Sequence, residues 1–182
     1  MNHDLRITVL GLGYIGLPTA ALLANRGFRV CGVDVVDNVV DTINRGEIHI
    51  VEPDLDSFVR SAVGTGNLTA HNEPQEADVF IIAVPTPLTE EREPRMEYVW
   101  QAARSIAPKL KPGNMVVLES TSPVGTTERV EEILLEEGVD VSDIHVAHCP
   151  ERVLPGRIMI ELSENDRIVG GTTEEAPGRA AA

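Results

Sequence analysis

Arg6 to Gly16 reads RITVLGLGYIG, and the reading of this stretch decides the fold. Five residues of strand-forming type, Arg6–Leu10, run without interruption into Gly11-Leu12-Gly13-Tyr14-Ile15-Gly16, a G-x-G-x-x-G pattern. Such a run of glycines is weak evidence alone and strong evidence when a strand precedes it and a helix follows. Here the helical pattern is Tyr14–Asn25, and the next strand, Arg29–Val33 (RVCGV), ends at an acid, Asp34, eighteen residues after Gly16. Each glycine has a distinct task. Gly11 permits the tight turn, Gly13 lets the backbone approach a pyrophosphate at the helix N-terminus, and Gly16 allows helix and strand to pack closely. A carboxylate at Asp34 accepts hydrogen bonds from both adenosine ribose hydroxyls and repels a 2′-phosphate, so the pattern favours NAD over NADP. Gly11, Gly13, Tyr14, Ile15, Gly16 and Asp34 are the candidate cofactor-binding residues on this loop. The glycines also fit a plain turn capped by Asp34, and a methyltransferase places a Gly-rich loop and an acid in a similar way. The third glycine argues for the dinucleotide.

Working outward, strand-like and helix-like segments alternate. A short helix is expected over Asn38–Asn44, a second over Asp54–Val63 behind the start signal Pro53-Asp54, and a weak strand over Leu68–His71. Val79–Val84 (VFIIAV) is a continuous apolar run, the mark of a strand covered on both faces. Met96–Leu110 reads as a helix ending before the breaker Lys111-Pro112-Gly113. Strand Met115–Leu118, helix Thr126–Glu137 and strand Ile144–His148 follow, with Thr126 a plausible cap. The alternation predicts an α/β fold, a doubly wound parallel sheet of Rossmann type in strand order 3-2-1-4-5-6, in a single domain over 1–173. Residues 174–182 stand apart as a truncated tail. Thr172-Thr173-Glu174-Glu175 resembles a capping box, yet Pro177, Gly178 and three alanines close the sequence.

Composition excludes several classes of function. A net charge of −14 over 182 residues argues against a nucleic-acid partner, which needs clustered Lys and Arg, and against anionic membrane surfaces. Lys109 and Lys111 are the only lysines, a bias that fits equally a high-salt habitat and an Arg-favouring genome. No run of eighteen apolar residues suggests a membrane span. The polar start from Met1 to Arg6 does not read as a signal peptide. Cys31 and Cys149 are the only cysteines and lack metal-type spacing, so no metal site is expected and a reducing, cytoplasmic setting is.

Several segments in order carry a resemblance to one family. Gly11–Ala21 (GLGYIGLPTAA), Asn44–Leu55 (NRGEIHIVEPDL), Ala83–Pro87 (AVPTP), Glu119–Thr126 (ESTSPVGT) and His148–Arg157 (HCPERVLPGR) resemble the UDP-glucose/GDP-mannose dehydrogenase family. The HIVEPDL and CPERVLPGR segments are most similar to its branch acting on UDP-N-acetyl-D-mannosamine. The resemblance runs from Arg6 to about Thr173. It implies an oxidoreductase that converts a sugar C6 alcohol to the uronate for polysaccharide synthesis, with two NAD consumed and a cysteine holding the aldehyde between the two oxidations. The implied partner is a small-molecule UDP-sugar.

The family's pattern also implies site residues. Thr86, between Pro85 and Pro87 at the C-terminal edge of strand four, is placed to contact the cofactor from a loop stiffened by proline. Thr121 resembles the threonine near the nicotinamide and the reacting carbon, and so counts as both cofactor-binding and catalytic. Glu151 resembles the glutamate that assists proton movement during thioester hydrolysis. Arg152 and Val153 resemble substrate-contacting positions. A surface ion pair between Glu151 and Arg152 is the plainer alternative. The family's cysteine, in a Gly-Gly-Ser-Cys context with a lysine and an asparagine ahead of it, does not occur in this sequence. Nor do the central helical region, through which the family homo-oligomerises, or the C-terminal UDP-binding domain. Cys149 lacks the nucleophile's context and reads as a buried, inert thiol, and Cys31 as core. The stretch Val35–Val39 lacks the basic residue often found past the ribose acid. Two rival readings stay open: a stand-alone NAD-binding or regulatory module, and the same domain of a UDP-glucose 6-dehydrogenase.

Overall fold

The RITVL strand lies inside a seven-stranded sheet, between the second and fourth strands of the chain, and its side chains alternate between two apolar layers. The computed structural model describes residues 4–181; the first three residues of the polar start and Ala182 lie outside it. In chain order the elements are β1 (Arg6–Leu10), α1 (Gly16–Asn25), β2 (Arg29–Val33), α2 (Asp37–Asn44), α3 (Leu55–Gly64), β3 (Leu68–His71), β4 (Val79–Ile82), α4 (Glu97–Ile106), β5 (Met115–Leu118), α5 (Thr126–Glu136), β6 (His145–His148), α6 (Ile158–Glu164), β7 (Gly170–Gly171) and α7 (Ala176–Ala181). The sheet order is β3-β2-β1-β4-β5-β6-β7. All pairings are parallel except β6 with β7. The expected 3-2-1-4-5-6 order is therefore present, with one antiparallel strand added at its edge.

Strand alternation sorts the core into two layers, because successive side chains leave a strand on opposite faces. Ile7 and Val9 join Leu17, Ala20, Ala21 and Ala24 of α1, Val40 and Ile43 of α2, and Leu55, Val59 and Ala62 of α3. Leu10 joins Phe80, Ile82, Val116, Leu118 and Val146 under Val99, Ala103 and Ile106 of α4 and Val130, Ile133 and Leu134 of α5. Val79 and Ile81 pack toward the first layer while Phe80 and Ile82 enter the second. The VFII run is apolar throughout because β4 is covered on both sides. Among the described residues no helix is long and apolar enough to cross a membrane.

Where the structure departs from the sequence reading, the cause is local. β4 stops at Ile82 rather than Val84, since the chain turns there to form the loop that Gly11 touches. The helix after Pro53 begins at Leu55, and Asp54 takes a left-handed conformation (φ 65°) ahead of it. The Met96–Leu110 helix divides into α4 and a 3-10 turn over Ala107–Lys109, because Pro108 lacks the N–H that would continue an α-helix. Thr126 is the first residue of α5 and not its cap; Gly125 precedes it at φ 90°, and the Thr126 hydroxyl donates to Pro123 O at 2.7 Å. Two elements are additional, α6 and β7. Residues 176–181 form α7, with Ala176 buried beside Met115 and Ala147 and its N–H donating to Thr173 Oγ1 at 3.2 Å.

Cys31 lies in β2 and Cys149 one residue past β6, four strand spacings away across β1, β4 and β5, or roughly 19 Å. A disulfide needs Cα atoms within about 7 Å, and both cysteines are free. Unfolded without reductant, the protein should present both thiols to a thiol reagent; a lower titre would contradict this strand order.

Candidate active site

The ends of β1, β4, β5 and β6 lie along one edge of the sheet, and each passes its hydrogen-bond ladder one residue further. Gly11 N donates to Val33 O at 2.8 Å, Ala83 N to Leu10 O at 2.8 Å, Glu119 N to Ile82 O at 2.9 Å and Cys149 N to Leu118 O at 3.0 Å. The loops that follow are therefore anchored at their first residue. In a doubly wound sheet this edge, where the strand order reverses between β1 and β4, is the ligand crevice.

The glycine loop shows why its glycines are needed. Gly11 sits at φ +88°, and an added Cβ would lie 2.7 Å from Ala83 O. A Cβ on Gly16 would lie 1.8 Å from Gly11 O, so loop and helix meet backbone to backbone. A Cβ on Gly13 would meet nothing within 4 Å; the space above it is open. The amides of Gly13, Tyr14 and Ile15 make no hydrogen bond to another described residue. Open space and unpaired donors at the start of α1 fit a pyrophosphate. Asp34 accepts from Leu12 N through Oδ2 at 3.0 Å and from Val36 N through Oδ1 at 3.0 Å. Its carboxylate thus shapes the loop, and each oxygen keeps lone-pair capacity for a ribose hydroxyl. Val35 and Val36, where a basic residue is lacking, are exposed.

Beyond the loop opens a cleft of about 330 Å³ that brings together Gly13, Tyr14, Ile15, Thr86, Thr121 and Glu151. Its walls are laced to each other. Thr86 Oγ1 donates to Thr121 O at 2.8 Å, and Ser120 Oγ to Val84 O at 2.8 Å. The Thr86 hydroxyl proton is thereby committed, which leaves Thr86 an acceptor toward any ligand. Glu151 is half-buried, with Oε2 accepting from Val153 N at 2.9 Å; it makes no ion pair with Arg152. Arg152 is exposed and Val153 half-buried, and neither lines the cleft. Asp34 lies outside it as well, on the β2 side of the loop. Cys149 is half-buried rather than buried; burial pushes its thiol up, Arg167 pulls it down and Glu119 pushes it up again. A raised thiol holds little thiolate near neutral pH, in keeping with an inert side chain. Cys31 is likewise half-buried and raised, chiefly by burial.

Two carboxylates of the quoted segments emerge that motif reading gave no role. Glu119, 2% exposed, closes the cleft floor and accepts from Thr19 Oγ1 at 3.2 Å and from the Arg167 guanidinium, one contact at 3.2 Å. Burial pushes its carboxyl up, with Arg167 pulling down and Glu151 pushing up. The signal for it was a glutamate at the end of an apolar strand, in MVVLE; nothing local pointed to Arg167. Glu52, 5% exposed, accepts from Gly156 N and Ile158 N at 2.8 Å each. It ties the HIVEPDL segment to the loop that carries Glu151. Leu154 N on Glu161 Oε2 at 2.8 Å and Asn165 Nδ2 on Arg152 O at 2.6 Å complete the bracing of that loop.

A glycine loop opening a helix, an acid at the end of the second strand and a crevice at the strand-order reversal define a dinucleotide-binding domain of Rossmann type. The model of the UDP-glucose/GDP-mannose dehydrogenase family's NAD binding domain matches residues 5–182. The chain belongs to that family, as its NAD binding domain. It is 55% identical over 96% of its length to a UDP-N-acetyl-D-mannosamine dehydrogenase of Campylobacter jejuni, and 57% identical over 92% to an NDP-N-acetyl-D-galactosaminuronic acid dehydrogenase of Ralstonia nicotianae. Among solved structures, the UDP-N-acetyl-mannosamine dehydrogenase of Staphylococcus aureus superposes with a TM-score of 0.90 at 41% identity, over 96% of this chain and 43% of that one. The chain spans less than half the length of the curated relatives it matches, 46% and 42% for the two named.

Gly13→Val should leave the fold intact and abolish NAD binding, since its side chain enters the open space where the pyrophosphate passes. Gly16→Ala should do the reverse and destabilise the domain by about 3 kcal/mol or more, because its Cβ meets backbone. Circular dichroism melts paired with NAD titration separate the two; a folded Gly13→Val that binds NAD normally would reduce the loop to a turn.

Proposed function

We propose that this chain is the cofactor half of an NAD-dependent UDP-N-acetyl-D-mannosamine 6-dehydrogenase, an oxidoreductase acting on a nucleotide sugar. The observation that carries the reading is the single cleft in which the phosphate loop faces Thr121 and Glu151. Names among the relatives favour N-acetylated sugars over glucose; the mannosamine and galactosaminuronic assignments stand at similar identity. Bound NAD supplies the hydride acceptor. Asp34 holds the adenosine ribose, the amides of Gly13, Tyr14 and Ile15 hold the pyrophosphate, and Thr86 offers its oxygen as an acceptor at the cleft wall.

In this reading the Thr121 hydroxyl, exposed and without a hydrogen bond to a described residue, orients a water or the substrate oxygen. Glu151 takes and returns the proton. It lines the cleft half-buried, and its contact with Val153 N holds one oxygen while the other makes no hydrogen bond to a described residue. Arg152 and Val153 meet the sugar nucleotide from the braced loop. The aldehyde-holding cysteine and most uridine contacts of the family lie outside these 182 residues, as does the region through which the family pairs. The two unpaired cysteines and the nucleotide-sugar chemistry suit the cytoplasm.

Calorimetric titration should give one NAD site, with NADP at least roughly tenfold weaker, the repulsion of a 2′-phosphate by Asp34. Asp34→Ala should weaken NAD by about 1–3 kcal/mol, the cost of hydrogen bonds to a charged group. Equal affinity for the two cofactors in the unmutated chain would remove Asp34 from the ribose site. With UDP-N-acetylmannosamine and NAD supplied, these 182 residues alone should form no NADH; turnover lost in Cys149→Ser would make Cys149 a nucleophile after all.

A further inference from the structure

Glu119 and its two donors stand between two cavities. Toward one side it lines the cleft with Thr121 and Glu151. Toward the other, its two donors Thr19 and Arg167 line a separate cavity of about 270 Å³ between α1 and α6. The Glu119–Arg167 ion pair is therefore a dipole set through the wall, with its negative end at the cleft and its positive end turned away. Glu151 adds a second carboxylate on the cleft side, and none of the described residues lining the cleft is cationic.

We propose that this wall makes the domain select the redox state of its cofactor, with Glu119 and Glu151 favouring the oxidised, cationic nicotinamide ring over the neutral reduced ring. The inference rests on the reading above, in which the ring lies beyond the phosphate loop in the cleft. The two redox forms share every other group, so a charge aimed at the ring is what tells them apart. Unit charges a few ångströms apart at a protein-like dielectric change affinity roughly tenfold or more. Arg167, on the far side of the wall, offsets only part of that. Arg167, ion-paired to Glu119, favours its charged form against the burial that raises its carboxyl. Glu119 is thus a specificity-determining residue and Arg167 the positioning residue behind it. For a reaction that consumes two NAD per sugar, weaker hold on the reduced form favours the exchange needed between the two oxidations.

The test is the ratio of NADH to NAD dissociation constants on this chain, from NADH fluorescence and NAD calorimetry at about 0.15 M salt, where charges beyond roughly 8 Å are screened. NAD should bind about tenfold or more tightly than NADH. Glu119→Gln should bring the ratio within about threefold, mostly by weakening NAD, and Glu119→Asp should restore it. Glu136→Gln, at the opposite end of α5 and paired with Arg129, should leave it unchanged. Purely structural damage would weaken both forms together. A second measurement needs no variant. As pH falls the ratio of the unmutated chain should drop, because protonation removes the Glu119 charge and burial raises its carboxyl against the pull of Arg167, with Thr19, Glu151 and Cys149 the other groups facing it. Equal affinities in the unmutated chain, or a ratio that Glu119→Gln and acid both leave standing, would overturn the inference while sparing NAD binding. Failure to bind either form would overturn the functional reading with it.

Discussion

The site depends on how closely two glycines approach. A Cβ at position 16 would sit 1.8 Å from the Gly11 carbonyl, so α1 begins in contact with the end of β1. That contact fixes the helix along its length, because its inner face is made of small residues, Ala20, Ala21 and Ala24, all fully buried. Thr19 is carried into place by the same seating, and through it the hydrogen bond to Glu119. From the opposite side Asp34 holds Leu12 N, so one carboxylate shapes the phosphate loop before any ligand arrives. Loop, helix and cleft floor form one rigid chain of contacts starting from a missing side chain. A site made of backbone and locked rotamers loses little freedom on binding.

A second constraint acts at a distance along the sequence. Glu52 reaches residues more than a hundred positions later and holds one amide of the loop between β6 and α6 and the first amide of α6. Such a loop, with no ladder of its own, owes its shape to side chains from elsewhere. Removing the Glu52 carboxylate would strand the buried Ile158 N–H and release that of Gly156, and leaving a buried donor unmet is costly. The two segments whose resemblance pointed to N-acetylated sugars are thus in physical contact. A change in one alters the support of the other.

Most of the fold was legible because its signals are local. The RITVL, RVCGV and MVVL strands are short apolar runs with clear ends, and the GLGYIG turn with Asp34 fixes the first crossover. The phosphate loop was legible for the same reason, and the comparison with relatives agrees with its cofactor. What the sequence hid depends on contacts between distant residues. α6 is a seven-residue helix whose start is held by Glu52, and its own periodicity spans barely two turns. β7 is two glycines, with no side chain to betray a strand. The Glu119–Arg167 pair joins residues forty-eight positions apart, and neither sits in a phosphate-loop or nucleophile motif. Thr86 was legible as a cleft residue, but the donation of its proton to Thr121 O was not.

The two-residue strand at the margin of the sheet has a consequence for how copies of this domain meet. β7 runs against the direction of the other six strands, and Gly171 is pressed by Ala176 and Pro177, which a Cβ would approach to 2.7 and 2.9 Å. An incoming strand would find there a ladder too short to template another and a helix crowding it. Short, covered margins of this kind keep sheets from growing into one another. Encounters between molecules at that flank are left to helical and loop surfaces.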